Sequence, residues 1–122
     1  MNKLLVVVLS IFTTSVFAEW VRYGATAQGD EYFYDSDRIQ KRGENVSFWH
    51  RVRAGQILSR KYWSHEAHIE INCDEYSIKS LRSVFFSDDN WKDEAARFGD
   101  QGKRYVKPNS SMEMVANIVC KE

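Results

Sequence analysis

The most regular pattern in the chain runs from Leu58 to Cys73. There Trp63, His65, Ala67, Ile69, Ile71 and Cys73 fall on one side, and Tyr62, Ser64, Glu66, His68, Glu70 and Asn72 on the other. A period of two marks a half-buried strand, so the first set is expected to face the core. Tyr76 to Phe86 would return antiparallel through Cys73, Asp74 and Glu75. Upstream, Trp20 to Ala25 and Glu31 to Tyr34 flank the turn-forming Gln28-Gly29-Asp30, a hairpin with aromatic residues on both arms. Asp35 to Ile39 is polar and turn-prone, and Arg42-Gly43-Glu44-Asn45 makes a tight turn into a strand from Val46 to Arg53. Ser87 to Lys103 has no clear period and reads as a long loop with a helical turn over Trp91 to Phe98; Tyr105-Val106 reads as a short edge strand. After Pro108 the period changes. Ser110, with Glu113 three residues on, forms a capping box, and the helix it starts runs from Ser111 to Val119 with Met112, Val115, Ile118 and Val119 on one side. The expected fold class is α+β: an antiparallel sheet of five to six strands with one C-terminal helix packed on it.

The first 18 positions do not belong to that pattern. Met1-Asn2-Lys3, the apolar run from Leu4 to Phe12 and the closing Val16-Phe17-Ala18 have the order of a secretory signal peptide. Cleavage after Ala18 is expected, leaving a single domain over residues 19–122; the apolar run is too short to span a bilayer, so no membrane span is expected in the mature chain. No cysteine stands at the cleavage site, so the mature start is not expected to be acylated. Export also settles the cysteines: Cys73 and Cys120 read as one structural disulfide, being far apart in sequence and without a Cys-x-x-Cys spacing. Composition narrows function by exclusion. Lys+Arg and Asp+Glu both number 17, which gives no bulk charge for holding nucleic acid or anionic membrane. Hydrophobic residues make up 43% and aromatic residues 14%, with one proline, which excludes a disordered chain.

Candidate chemistry is sparse. There is no nucleophile elbow and no glycine-rich phosphate loop, and Asp35 with Asp37 or Asp88 with Asp89 sit where aspartate caps turns, so no enzyme is expected. His65 and His68 point to opposite faces of a strand and cannot share an ion. Glu66, His68 and Glu70 share one face, where they could hold a loose cation or raise the His68 pKa between two carboxylates; a solvated polar face is the plainer reading, and neither a metal nor a cofactor is expected. His50, beside Trp49, reads as packed or at a rim. The aromatic residues carry the strongest hint, because one helix cannot cover both faces of the sheet. On Val46 to Arg53, Trp49, Arg51 and Arg53 share the less covered side, with Trp49 set between arginines, and with Tyr62 they form the candidate partner-binding set.

Several of these pieces recur in one order. A leader, then Trp20-Val21, Tyr32-Phe33-Tyr34-Asp35 with Ile39, Gly43, Val46, Trp49, Ser59, Cys73 and a closing Pro108-Asn109-Ser110 with Cys120 resembles the surface-adhesin protein E family of Gram-negative bacteria. The resemblance covers nearly the whole mature chain. It implies a small exported α+β domain with one disulfide and, for the member that names the family, adhesion to host extracellular-matrix and serum proteins. The leading expectation is therefore a non-catalytic exported binding module with a protein ligand, able to form a homodimer. A soluble periplasmic accessory or inhibitor protein, binding another envelope component, is the second; capture of metal or haem through His68 with Glu66 and Glu70 is the third. The protein is expected in the periplasm or at the cell surface.

Overall fold

The structure, a computed structural model, describes residues 18–55 and 61–121. Residues 1–17 of the leader, and the Leu58 end of the alternating segment, lie outside the described residues. Eight strands and one helix follow in order: β1 Trp20–Ala25, β2 Glu31–Asp35, β3 Gln40–Arg42, β4 Asn45–Arg53, β5 Ser64–Asn72, β6 Ser77–Phe86, β7 Glu94–Phe98, β8 Lys103–Tyr105 and α1 Ser111–Val119. All strands pair antiparallel in one sheet of order β1-β2-β4-β5-β6-β7; β3 pairs with β4, and β8 with the start of β6.

The sheet has eight strands where five to six were expected, and the two that no sequence signal marked as strands, β3 and β7, have different causes. β3 is too short and too polar to show a period, and exists because Gln40, Lys41 and Arg42 pair with Ser47, Val46 and Asn45 across the turn at Gly43. β7 replaces the expected helical turn. Its residues Glu94-Ala95-Ala96-Arg97-Phe98 suit a helix locally, but one isolated turn is costly to nucleate, while the edge of β6 offers Ser83 to Phe86 as ready partners.

Alternation on β4 and β5 sets the faces. Val46, Phe48, Ala67, Ile69 and Ile71 are buried on the inner face with Tyr34 and Ile78, and Val115, Ala116 and Val119 of α1 close over them. Ser110 caps α1, its hydroxyl accepting from the Glu113 N–H at 3.2 Å; the Glu113 carboxylate accepts from the N–H of Asn109, one residue before the expected partner of a capping box. Cys120 at the end of the helix is bonded to Cys73 in the β5–β6 turn, so the disulfide pins α1 to the sheet. Trp63 departs from its expected core position and is 42% exposed, because it lies at the end of the inner face that the helix does not reach. One close approach fixes this same end of the sheet, where the Ala54 N–H donates to the Trp63 carbonyl at 2.8 Å. A Cβ on Gly55 would lie 2.2 Å from the carbonyl carbon of Gly29, and the Gly55 N–H donates to Asp30 at 2.9 Å, which ties the β1–β2 turn to the end of β4.

Candidate functional site

The outer face, turned away from α1, carries the arrangement that needs explaining. The β2–β4 register places Phe33 opposite Arg51 and Glu31 opposite Arg53, and the β4–β5 register places Arg51 opposite Glu66. Across this platform the side chains stack as a ladder. The Arg51 guanidinium lies 4.2 Å from the centroid of the Trp20 ring and 4.7 Å from that of Trp91. Arg53 also lies 4.7 Å from Trp91 and 5.7 Å from Phe33, and Phe33 meets Trp91 edge-on at 5.8 Å. Each cation–π contact of this kind contributes about 0.5–2 kcal/mol, according to how far it is desolvated. Carboxylates hold the flanks: Arg51 Nε donates to Glu66 at 3.3 Å, and Arg53 donates to Glu31 at 3.2 Å and to the Asp89 carbonyl at 3.0 Å. The groove so formed, of about 290 Å³, is lined by Trp20, Glu31, Phe33, Arg51, Arg53 and Trp91.

Trp91 reaches the ladder because its loop is built for it. The Asp88 carboxylate accepts backbone N–H groups from Asn90, Lys92 and Asp93, chiefly Asp93, and these bonds hold its pKa below the ordinary carboxylate value. Ser64 donates to the Asp88 carbonyl at 2.6 Å and accepts the Trp91 N–H at 3.2 Å, while the Trp91 indole N–H donates to the His65 carbonyl at 3.1 Å. Trp91 takes up the left-handed backbone region, with φ at 54°, a conformation that a bulky residue keeps only when its surroundings impose it.

The four sequence-predicted partner-binding residues do not form one cluster. Arg51 and Arg53 come together, but with Trp20 and Trp91 rather than with Trp49 between them. Trp49 lies further along the same face, stacked on His68 at 4.6 Å with planes 10° apart, the Arg38 guanidinium 5.3 Å from its centroid. Tyr62 lies beside Phe85, at 5.1 Å, in a separate groove of about 280 Å³ that also contains Val52, Ala54, Trp63 and His65. Trp91 is the residue the sequence reading missed, and an isolated tryptophan in the polar stretch Asp88-Asp89-Asn90-Trp91-Lys92-Asp93 was the available signal; Trp20 and Phe33 belong to the aromatic strand residues that carry the hint but stood outside the candidate set.

The histidines divide as their environments dictate. His50 is buried, its Nε2 hydrogen-bonded to the Tyr23 hydroxyl, and burial with the neighbouring His65 pushes its pKa down to about 3. His65 stacks on Phe85 at 4.8 Å and is pushed down to about 4, by burial and by Arg104. His68 is lowered rather than raised: burial, Arg38 and Arg82 outweigh Glu70, and Glu66 is taken up by Arg51. No three His, Cys, Asp or Glu side chains among the described residues gather as metal ligands. Nor is any described helix long and apolar enough to cross a membrane.

Comparison with known proteins places this architecture. No curated protein sequence matches the chain. Among solved structures, crystal form II of Haemophilus influenzae protein E is similar with a TM-score of 0.60 at 19% identity, over 88% of this chain and 91% of that one. Another structure of Haemophilus influenzae protein E gives 0.59 at 18% identity, covering 88% of each chain. Protein E from non-typeable Haemophilus influenzae gives 0.57 at 17% identity, covering 88% of this chain and 79% of that one. At such identities the structures establish the fold. The family model described as surface-adhesin protein E matches residues 20–121. The chain thus belongs to the surface-adhesin protein E family.

Proposed function

We propose that this protein is an exported, non-catalytic binding module that takes a protein ligand on the outer face of its sheet. The observation that carries the reading is the Trp20–Arg51–Trp91–Arg53–Phe33 ladder, rigid aromatic and arginine side chains held in register by flanking carboxylates and by a strained loop. Tryptophan and arginine dominate binding hot spots because they present large contact areas, and here their conformations are fixed before any partner arrives. Family membership supports adhesion as the purpose and the outer surface as the location, with host matrix and serum proteins as the ligand class.

The test pairs binding with location. The mature chain from Glu19 is assayed against a panel of matrix and serum proteins beside an Arg51→Ala, Arg53→Ala double variant, with circular dichroism as the fold control. We expect binding by the wild type and a loss of about tenfold or more in the variant. Absence of binding to every protein of the panel, or equal binding by the variant, would overturn the reading. Protease added to intact cells should digest the protein. Protection until the outer membrane is opened would reject surface adhesion and move the ligand to the envelope, where the protein would act as a periplasmic accessory.

A further inference from the structure

On the same outer face, apart from the ladder, a second groove of about 410 Å³ is lined by Asp37, Arg38, Gln40, Ser47, Trp49 and His68, with Ile39. We propose that this groove binds a sugar bearing an oxyanion, a sulfate or a carboxylate, with the anion held among Arg38, His68 and Arg82. This site goes beyond the protein ligand proposed for the ladder, which it adjoins through Arg38, whose guanidinium also lies 5.9 Å from the centroid of Trp20.

The argument begins with register. Trp49 lies opposite His68 on β4 and β5, and His68 lies opposite Arg82 on β5 and β6, so one cross-strand row presents an indole, an imidazole and a guanidinium. Arg38 enters from the β2–β3 connection with its guanidinium over Trp49. The buried Asp35 takes its Nε, and no described residue accepts from its two terminal nitrogens. Arg82 is exposed and makes no ion pair among the described residues. The competing carboxylates are accounted for. Glu66, two positions before His68, is held by Arg51; Glu70, two positions after it, lies opposite Lys79, which is paired with Asp100, and acts on His68 less strongly than either Arg38 or Arg82; Asp37 is exposed at the rim. Two guanidinium groups with unused donors, Arg38 lining the groove with His68 and Arg82 opposite His68 on β6, favour an anion, not the cation that Glu66, His68 and Glu70 suggest from sequence spacing.

The rest of the lining selects what bears the anion. The Gln40 amide, the Ser47 hydroxyl and the Asp37 carboxylate offer donors and acceptors suited to sugar hydroxyls, and the volume falls within the roughly 300–1,000 Å³ of small-ligand sites. The pKa of His68 is lowered first by burial and then by the charges of Arg38 and Arg82, and it is this second part that an anion would relieve.

The chain has three histidines, so the imidazole signals in its proton spectrum can be assigned, and the buried His50 and half-buried His65 serve as internal references. Glucose 6-sulfate, inorganic sulfate and glucose are titrated at constant ionic strength. We expect glucose 6-sulfate to shift His68 alone and to raise its pKa, with tighter binding at about pH 5.5 than at about pH 8 because the imidazolium then adds its charge. Arg82→Ala should weaken that binding about tenfold with the melting temperature unchanged. No response at His68, or a response unaltered by Arg82→Ala, would overturn the site. An equal response to inorganic sulfate would mean binding of the ion alone and would overturn the sugar.

Discussion

His50 and His65 make the stability of this protein dependent on pH in a direction that can be worked out from their burial. Both are held neutral in the fold, at about 3 and about 4, against an ordinary 6.5 in the unfolded chain. Below pH 6.5 the unfolded state therefore binds more protons than the folded one. Stability should be complete above that value and should fall as the pH drops, by up to about 1.4 kcal/mol per pH unit for each histidine. Thermal melts from pH 7 to pH 4 would show the decline, and His50→Phe should flatten it; equal slopes in the two proteins would reject the assignment to His50. A second effect concerns Asp35, whose buried carboxylate accepts from the Glu19 N–H at 3.1 Å, the Asp37 N–H at 2.9 Å and Arg38. Cleavage after Ala18, the processing proposed for this chain, would turn that Glu19 amide into an ammonium against a buried anion. Masking it, by N-terminal acetylation or an added residue, should cost about 1–3 kcal/mol, the difference between a charged and a neutral donor. Denaturant midpoints of the two forms measure it, and coincident midpoints would show that the ammonium contributes nothing.

Among the elements, those that were legible in the sequence carry their own signal. The β5 alternation, the β1–β2 hairpin and α1 with its Ser110 cap are written locally, in period, turn residues and capping chemistry. Replacing Ser110 by Ala should cost about 1 kcal/mol, as for other N-caps. β7 and the ladder were not legible, because both depend on residues brought together from distant parts of the chain. Arg51 and Arg53 were picked out as the charged side of a strand, yet what sits beside them is decided by the β1–β2 register and by the loop from Ser87 to Asp93. Within that loop the organising residue is Asp88, with Ser64 of β5 bracing it from outside. Asp88→Ala removes the acceptor for three backbone N–H groups and should free Trp91 from the ladder. The expected result is a red-shifted tryptophan emission and weaker ligand binding, with the β-sheet circular dichroism retained; an unchanged emission would mean that Ser64, the His65 carbonyl and the ladder contacts hold the indole without Asp88.

At the scale of the whole molecule, an eight-stranded sheet is covered on one face by a helix of nine residues. That cover is small, and it stays in place through two attachments: the apolar contact of Val115, Ala116 and Val119 with the inner face, and the bond from Cys120 to Cys73. The bond closes a segment of 47 residues that includes β6, β7, β8 and the whole of α1. In the chain-entropy description such a loop stabilises by roughly 4 kcal/mol, a large share of the 5–15 kcal/mol that holds a domain together. Reduction, or Cys73→Ala with Cys120→Ala, should therefore lower the melting temperature by roughly 15–30 °C, since about 1 kcal/mol moves a domain of this size by some 4–8 °C. The ladder gives the loss a spatial meaning. It is built from β1, β2, β4 and the Trp91 loop, and rests on the face away from α1. Below its lowered melting point the reduced protein should keep the ligand affinity of the outer face while exposing the apolar residues under the helix to a fluorescent dye. Loss of ligand binding in step with the rise in dye fluorescence would instead show that the two faces unfold as one unit, and that the disulfide sustains the binding surface as well as the core.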